Sequence, residues 1–246
     1  MQPATLSEDE PTLRIVSPLV FPEPPHGKTG PAGARGARLE TGRLLADRYR
    51  IVELVGEGGM GMVYRAIDEQ LGLAVAVKVL RPELSSDERL VERFRRELVL
   101  ARQVTHRNAV RIHDIGHDGD LLFLTMDFVE GRSLQALLRD AGRLEPGHAV
   151  DITRQLALAL EVAHEAGVIH RDLKPGNVLI QPAGRVCVSD FGVACSSGSH
   201  DLTRAGMVVG TPAYLSPEQA SGAPLDGRSD LYALGLLLFE MLTGRL

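Results

Sequence analysis

Tryptophan is absent from the 246 residues, aromatics amount to 4%, and only two cysteines occur, Cys187 and Cys195. Two thiols that form neither a CxxC pair nor a disulfide framework exclude a cystine-stapled scaffold and predict a reducing compartment. A long apolar run is also missing. The longest stretch, Tyr232 to Phe239, ends at Glu240, far short of the roughly 18 residues that mark a membrane span. No basic region followed by an apolar one opens the chain, so no secretory signal is read. The expected location is cytoplasmic, with anchoring by downstream sequence left open. Excess positive charge is lacking too. With 27 Lys+Arg against 32 Asp+Glu, a net charge of −5 and a pI near 5.9, the chain does not carry the footprint of a nucleic-acid binder.

At 44% hydrophobic the chain can bury one sizeable core or two small lobes. Residues 1–40 cannot contribute: they hold Pro3, Pro11, Pro18, Pro22, Pro24, Pro25 and Pro31 with several glycines, and read as a disordered leader. Within it His26-Gly27-Lys28-Thr29 mimics the end of a phosphate loop. The earlier glycine is Pro22, however, and no strand precedes it. Residues 49–55, 61–68 and 73–80 predict an antiparallel meander punctuated by glycine. Ser85 to Glu88 offers a capping box for a helix reaching Val104, and strands are expected at 110–116 and 121–126. Beyond a link at 127–132 the character becomes helical, at 133–141 and 146–166, with a short strand pair at 178–180 and 185–189 and a final helix at 229–242. The expectation is α+β, in two lobes: a small antiparallel sheet lobe over 48–126 and a helical lobe over 133–246.

Gly56-Glu57-Gly58-Gly59-Met60-Gly61 fits GxGxxG, a pattern shared with dinucleotide folds and ordinary glycine turns. A dinucleotide fold needs a helix at the loop and an acid about twenty positions on. Here a strand follows and Lys78 stands in that region, so a hairpin whose tip covers phosphates fits better. Alternation puts Ala76, Lys78 and Leu80 on one face of their strand. A lysine there could simply discourage edge pairing. The next helix disfavours that: Leu90, Phe94, Glu97, Ala101 and Val104 form one inward stripe, in which a lone carboxylate is costly. Lys78 is the expected partner of Glu97.

His170-Arg171-Asp172-Leu173-Lys174-Pro175-Gly176-Asn177 resembles the catalytic loop of the protein kinase family. Asp190-Phe191-Gly192, and then Gly210-Thr211-Pro212-Ala213-Tyr214-Leu215-Ser216-Pro217-Glu218, are similar to the two ends of that family's activation segment. The resemblance covers about Tyr49 to Leu246 and implies the two-lobed kinase fold, with ATP and Mg²⁺. It implies Asp172 as base, Lys174 as the cation on the moving phosphate, Lys78 paired with Glu97, and Asn177 and Asp190 on the metal. It further implies ATP contacts at Gly56, Glu57, Gly58, Gly59, Gly61, Val63, Ala76, Lys78, Asp127 and Val129, with Met126 guarding the pocket behind the hinge. Ser-Pro-Glu replaces the family's usual Ala-Pro-Glu, and a serine before proline can cap the short helix that follows.

Lys174 and Thr211 resemble the serine/threonine branch, and Arg171 with the 210–218 segment favours protein over small-molecule substrates. The phrase Tyr214-Leu215-Ser216-Pro217-Glu218-Gln219 looks bacterial in style, in keeping with a signalling role. An arginine beside the base needs an anion, so activation by phosphorylation is expected, with Thr203 as acceptor and self-association as the route. Family members continue through several more helices, including an arginine that pairs with Glu218. The expectation is therefore a C-terminally truncated kinase, with the last helices of the large lobe absent. The competing reading is a truncated, impaired module that holds ATP without turnover.

Overall fold

The computed structural model describes residues 38–82, 88–191 and 212–246. Its small lobe is a six-stranded antiparallel sheet in the order β1-β2-β3-β4-β6-β5. The strands are β1 (Leu44–Leu45), β2 (Tyr49–Gly58), β3 (Gly61–Asp68), β4 (Leu73–Leu80), β5 (Ile112–Asp118) and β6 (Leu121–Asp127). Alternation gives the sheet two different faces. Val75, Val77 and Val79 of β4 join Tyr49, Ile51, Tyr64 and Phe123 in one buried cluster. Ala76 and Leu80 join Leu122, Leu124 and Met126 on the opposite face, against Phe94, Leu98 and Ala101 of α1 (Glu88–Ala101). Lys78 shares that second face and is 5% exposed, as its place in the alternation predicts.

β2 and β3 run on into the glycine hairpin, with Gly58 paired to Gly61 and register shifts between Ile51 and Glu53 and between Leu54 and Gly56. Such bulges bend and twist a strand pair. Gly61 sits at φ 150, and a Cβ there would lie 2.0 Å from the Val79 carbonyl oxygen. No other residue fits, so the hairpin lies close over β4 only because this position is glycine.

The large lobe is built on α3 (Pro146–Glu165), which follows β7 (Arg132–Ser133) and α2 (Leu134–Ala141). Ser133 caps α2 by accepting the Ala136 N–H at 3.1 Å, and Pro146 stands in the first turn of α3, where its missing N–H costs nothing. β8 (Val178–Ile180) and β9 (Val186–Val188) pair antiparallel and, with β7, form a second small sheet. Two helices close the described chain, α4 (Pro217–Ser221) and α5 (Gly227–Thr243). Ala233, Leu234, Leu237 and Met241 of α5 are buried with Leu156, Leu160 and Ala163 of α3 in the main core. The opposite side of α5 leaves Leu231, Tyr232 and Phe239 about half exposed.

Two boundaries differ from the sequence expectations. α1 stops at Ala101, and Gln103 and Val104 turn back through N–H bonds to the Leu100 and Ala101 carbonyls. Val104 is buried, but it packs into the large-lobe core, which imitates another step of the helical stripe. Residues 38–45 are part of the small lobe: Leu39 and Leu45 are buried in its outer cluster, and the Leu39 N–H donates to the Tyr64 hydroxyl at 3.0 Å. A leucine within a proline and glycine background gives no periodicity by which to see this.

Candidate active site

His170 to Asn177 follow the C-terminus of α3 and end in a 3₁₀ turn over Pro175–Asn177. Within this loop the Asp172 carboxylate accepts from Lys174 Nζ at 2.6 Å and from Asn177 Nδ2 at 3.1 Å. Asn177 Nδ2 also donates to the Asp172 carbonyl at 2.8 Å, which leaves the Asn177 amide oxygen as an acceptor. His170 is fully buried and meets the Phe191 ring edge to face at 5.0 Å. Its Nε2 lies 2.9 Å from the Ser189 carbonyl and its Nδ1 3.2 Å from the Asp172 N–H, so the two partners fix the tautomer with hydrogen on Nε2.

The loop is suspended from α5. Asp230, 1% exposed, accepts the N–H of His170 at 2.8 Å and of Arg171 at 2.9 Å, and pairs with His164 Nε2 at 2.7 Å. A buried carboxylate that collects several N–H donors is a strong fixed point. Arg171 is held there at φ 67, and Asp190 at φ 66, both unusual for residues with a side chain.

Across the cleft the ion pairing differs from the expected one. Lys78 Nζ contacts Asp190 Oδ1 at 2.7 Å, while Glu97 Oε1 lies 3.6 Å from Arg171 Nη1. Glu97 points inward as its stripe requires, and in this arrangement of α1 its carboxylate lies beside Arg171 of the large lobe. Burial pushes the Asp190 carboxyl up, yet the charge and hydrogen bond of Lys78, aided by His170 and Lys174, outweigh burial and hold it below the ordinary range.

Between the sheet and β8 lies an apolar cluster in which Ala76 and Met126 are buried and Val63, Val129 and Leu179 are partly buried. Apolar side chains of this kind suit the faces of a flat base. The glycine hairpin and Lys78 suit phosphates, and the carboxylate and amide oxygens of Asp190 and Asn177 suit a hard divalent cation. Among the described residues no group of three or more His, Cys, Asp or Glu forms a metal cage. A cation here would therefore rest on these two side chains together with phosphate and water oxygens, as Mg²⁺ commonly does. The residues present thus fit ATP and Mg²⁺.

Asp127 ends β6, where its N–H donates to the Arg111 carbonyl at 3.0 Å and its carboxylate meets His113 at 2.7 Å. Glu57 pairs with Arg38 at 3.1 Å. Ser216 does cap α4, accepting the Gln219 N–H at 3.3 Å, and Glu218 accepts from the Ser229 hydroxyl at 2.5 Å. Thr203 and Thr211 lie outside the described residues. Leu179, Asp230 and Gln219 were not among the predicted site residues. Asp230 is an acid in the first turn of a largely apolar helix, which hints at a buried role without naming a partner.

A two-lobed fold with a glycine hairpin over a Lys–Asp–Asn loop is the architecture of the protein kinase class. The protein kinase domain model matches residues 49–246. The chain is 47% identical over 214 residues to the serine/threonine-protein kinase pkn3 of Myxococcus xanthus, covering 83% of this chain and 39% of that protein. It is 43% identical to PknA of Mycobacterium tuberculosis, with 83% and 48% covered, and 42% identical to PrkC of Bacillus subtilis, with 83% and 32% covered. The crystal structure of the Mycobacterium tuberculosis PknI kinase domain superposes with a TM-score of 0.71 at 31% identity, over 85% of this chain and 79% of that one. This chain belongs to the protein kinase family, among its bacterial-type serine/threonine members. It spans less than half the length of those full-length relatives.

Proposed function

We propose that this protein transfers the γ-phosphoryl group of ATP to serine or threonine hydroxyls of other proteins. The observation that carries the reading is the joined set of Asp172, Lys174 and Asn177 facing the Lys78–Asp190 pair beneath a glycine hairpin. Asp172 takes the proton of the acceptor hydroxyl as its oxygen attacks the γ-phosphorus. The bond from that phosphorus to the bridging oxygen breaks, and ADP leaves. Lys174 offsets the charge on the moving phosphoryl group, and Lys78 orients the α- and β-phosphates. Asn177 and Asp190 would hold Mg²⁺, which when bound would supply positive charge to offset the charge developing on the phosphates. Gly56, Glu57, Gly58, Gly59 and Gly61 cover the phosphates, Val63 and Ala76 line the base, and the 127–129 backbone meets its edge.

Productive turnover in this reading requires Lys78 to meet Glu97. The present pairs, Lys78 with Asp190 and Glu97 with Arg171, then describe a resting arrangement. Phosphorylation of Thr203 within a transient pair of molecules supplies Arg171 with another anion and frees Glu97. The relatives are named as kinases, which disfavours a module that holds ATP without turnover. No helix among the described residues is long and apolar enough to cross a membrane, and action on cytoplasmic proteins is the location that fits this part of the chain.

Incubation with labelled ATP, Mg²⁺ and either a generic protein or a library of small alcohols tests the reading. Label should enter protein only, and Lys78→Met should lower transfer by at least about a hundredfold. Normal turnover in that variant, or label in the alcohols alone, would refute it.

A further inference from the structure

Gln219 plays no part in the chemistry above, yet it touches the backbone beside the candidate base. It occupies the third helical position of α4, one place after Ser-Pro-Glu. Its amide oxygen accepts the Ser216 N–H at 3.0 Å, completing the capping box. Its amide nitrogen donates to the Arg171 carbonyl at 2.7 Å. That carbonyl belongs to the peptide group joining Arg171 to Asp172. The N–H of the same peptide donates to His170 Nδ1 at 3.2 Å, so the plane is held on both edges. The preceding peptide is held through the Arg171 N–H by Asp230 at 2.9 Å. Arg171 itself is at φ 67, a conformation that a side-chain-bearing residue keeps only when its surroundings over-determine it. Arg171, Asp172, Tyr214 and Gln219 also line one small cavity, which opens beside the base.

We infer that Gln219 is a positioning residue for phosphoryl transfer. Its amide fixes the Arg171–Asp172 peptide so that the Asp172 carboxylate faces the acceptor hydroxyl, and it ties that orientation to the docking of α4. The choice of residue supports this. A capping box is served equally by glutamate or glutamine, but only glutamine has an N–H to give to the Arg171 carbonyl. The inference rests on the kinase reading and names a further residue of the same site.

Gln219→Glu separates the two bonds, because it keeps the cap and sets a carboxylate against the carbonyl. Steady-state kinetics of the whole chain with ATP and a peptide substrate should show kcat falling about tenfold with KM for ATP within about twofold. Amide exchange should quicken over residues 170–173 while the thermal midpoint stays near that of the parent. Ser216→Ala, which removes the cap hydroxyl and leaves the Gln219 amide in place, should retain kcat. If Gln219→Glu does not fold, Gln219→Met, which loses both bonds without adding charge, should show the same kcat loss and quicker exchange. Parent-like kcat and exchange in the glutamine variants would overturn the proposal. So would a kcat loss in Ser216→Ala as large as theirs, since helix capping alone would then explain the effect. A parent chain that transfers no phosphoryl group would sink the kinase reading, while the exchange comparison would still decide whether the clamp exists.

Discussion

Two groups of polar and charged residues face each other across the cleft, and they are secured in different ways. On the large-lobe side, Asp172, Lys174 and Asn177 lie within one short loop whose backbone hangs from the buried Asp230. Their partners come from the same lobe and share its core. On the small-lobe side, Lys78 is fixed to a face of β4, but its partner must come from another element. Glu97 rides on α1 and lies beside Arg171 here, and in the proposed function the placement of α1 decides whether that carboxylate meets Lys78 or Arg171. Chemistry can therefore be held rigid on one wall of a site and left adjustable on the other. The adjustable wall is where control costs least, because exchanging one ion pair for another leaves few charges uncompensated.

The largest effect should come from the residue that bridges the two walls. Asp190→Asn removes the carboxylate that faces both Lys78 and the candidate Mg²⁺ position. Transfer should fall by at least about a hundredfold and lose its response to Mg²⁺, with the circular dichroism spectrum unchanged. An unaltered Mg²⁺ titration curve would show that Asp190 does not serve the ion.

A smaller effect, of a different kind, should follow a change to the rigid wall. Asp230→Asn leaves the shape in place but weakens the acceptor for two backbone N–H groups and for His164. Hydrogen bonds to a buried charge contribute about 1.5–3 kcal/mol each, so unfolding in urea should register a loss of about 2–3 kcal/mol together with a fall in kcat. If activity fell with stability intact, the loop would not depend on this anchor as described.

What the sequence revealed follows the same division. The face of Lys78 was readable because a strand alternates with a fixed period, and the inward direction of Glu97 because a helix does too. Which partner each would find was not readable. Periodicity gives a side chain's face on its own element and says nothing of how a helix is placed against a sheet. Asp172, Lys174 and Asn177 were legible as one octapeptide, since their contacts are local. Asp230 and Gln219 reach the same loop from far along the chain, and no local pattern marks such contacts. β1 and β7, two residues each, are strands only because a neighbour's register makes them so.

The smallest predicted effect lies away from the cleft, in the sheet that carries Lys78. Asp68 closes β3, is 1% exposed, and meets Arg48 through Nη2 at 2.6 Å and through Nε at 3.0 Å. The Arg48 hydrogen bond holds its carboxyl below the ordinary value, burial opposes this, and the Gln70 N–H adds to the lowering. A carboxyl that titrates lower in the folded state binds fewer protons there than in the unfolded chain. Its contribution is thus fully present above the unfolded pKa, near about 3.9, and is lost as pH falls through the folded value. Acid unfolding of the parent should therefore steepen below about pH 4. Asp68→Asn should be less stable at neutral pH and should lack that part of the decline, so that the two curves converge in acid. Both proteins should have the same Mg²⁺ response wherever they are folded, because Asp68 lies on the sheet's remote end and touches neither wall of the cleft. Curves that stayed parallel down to acid pH would mean that the Arg48 pair does not anchor the sheet, and the rigidity ascribed to the strand under Lys78 would need another source.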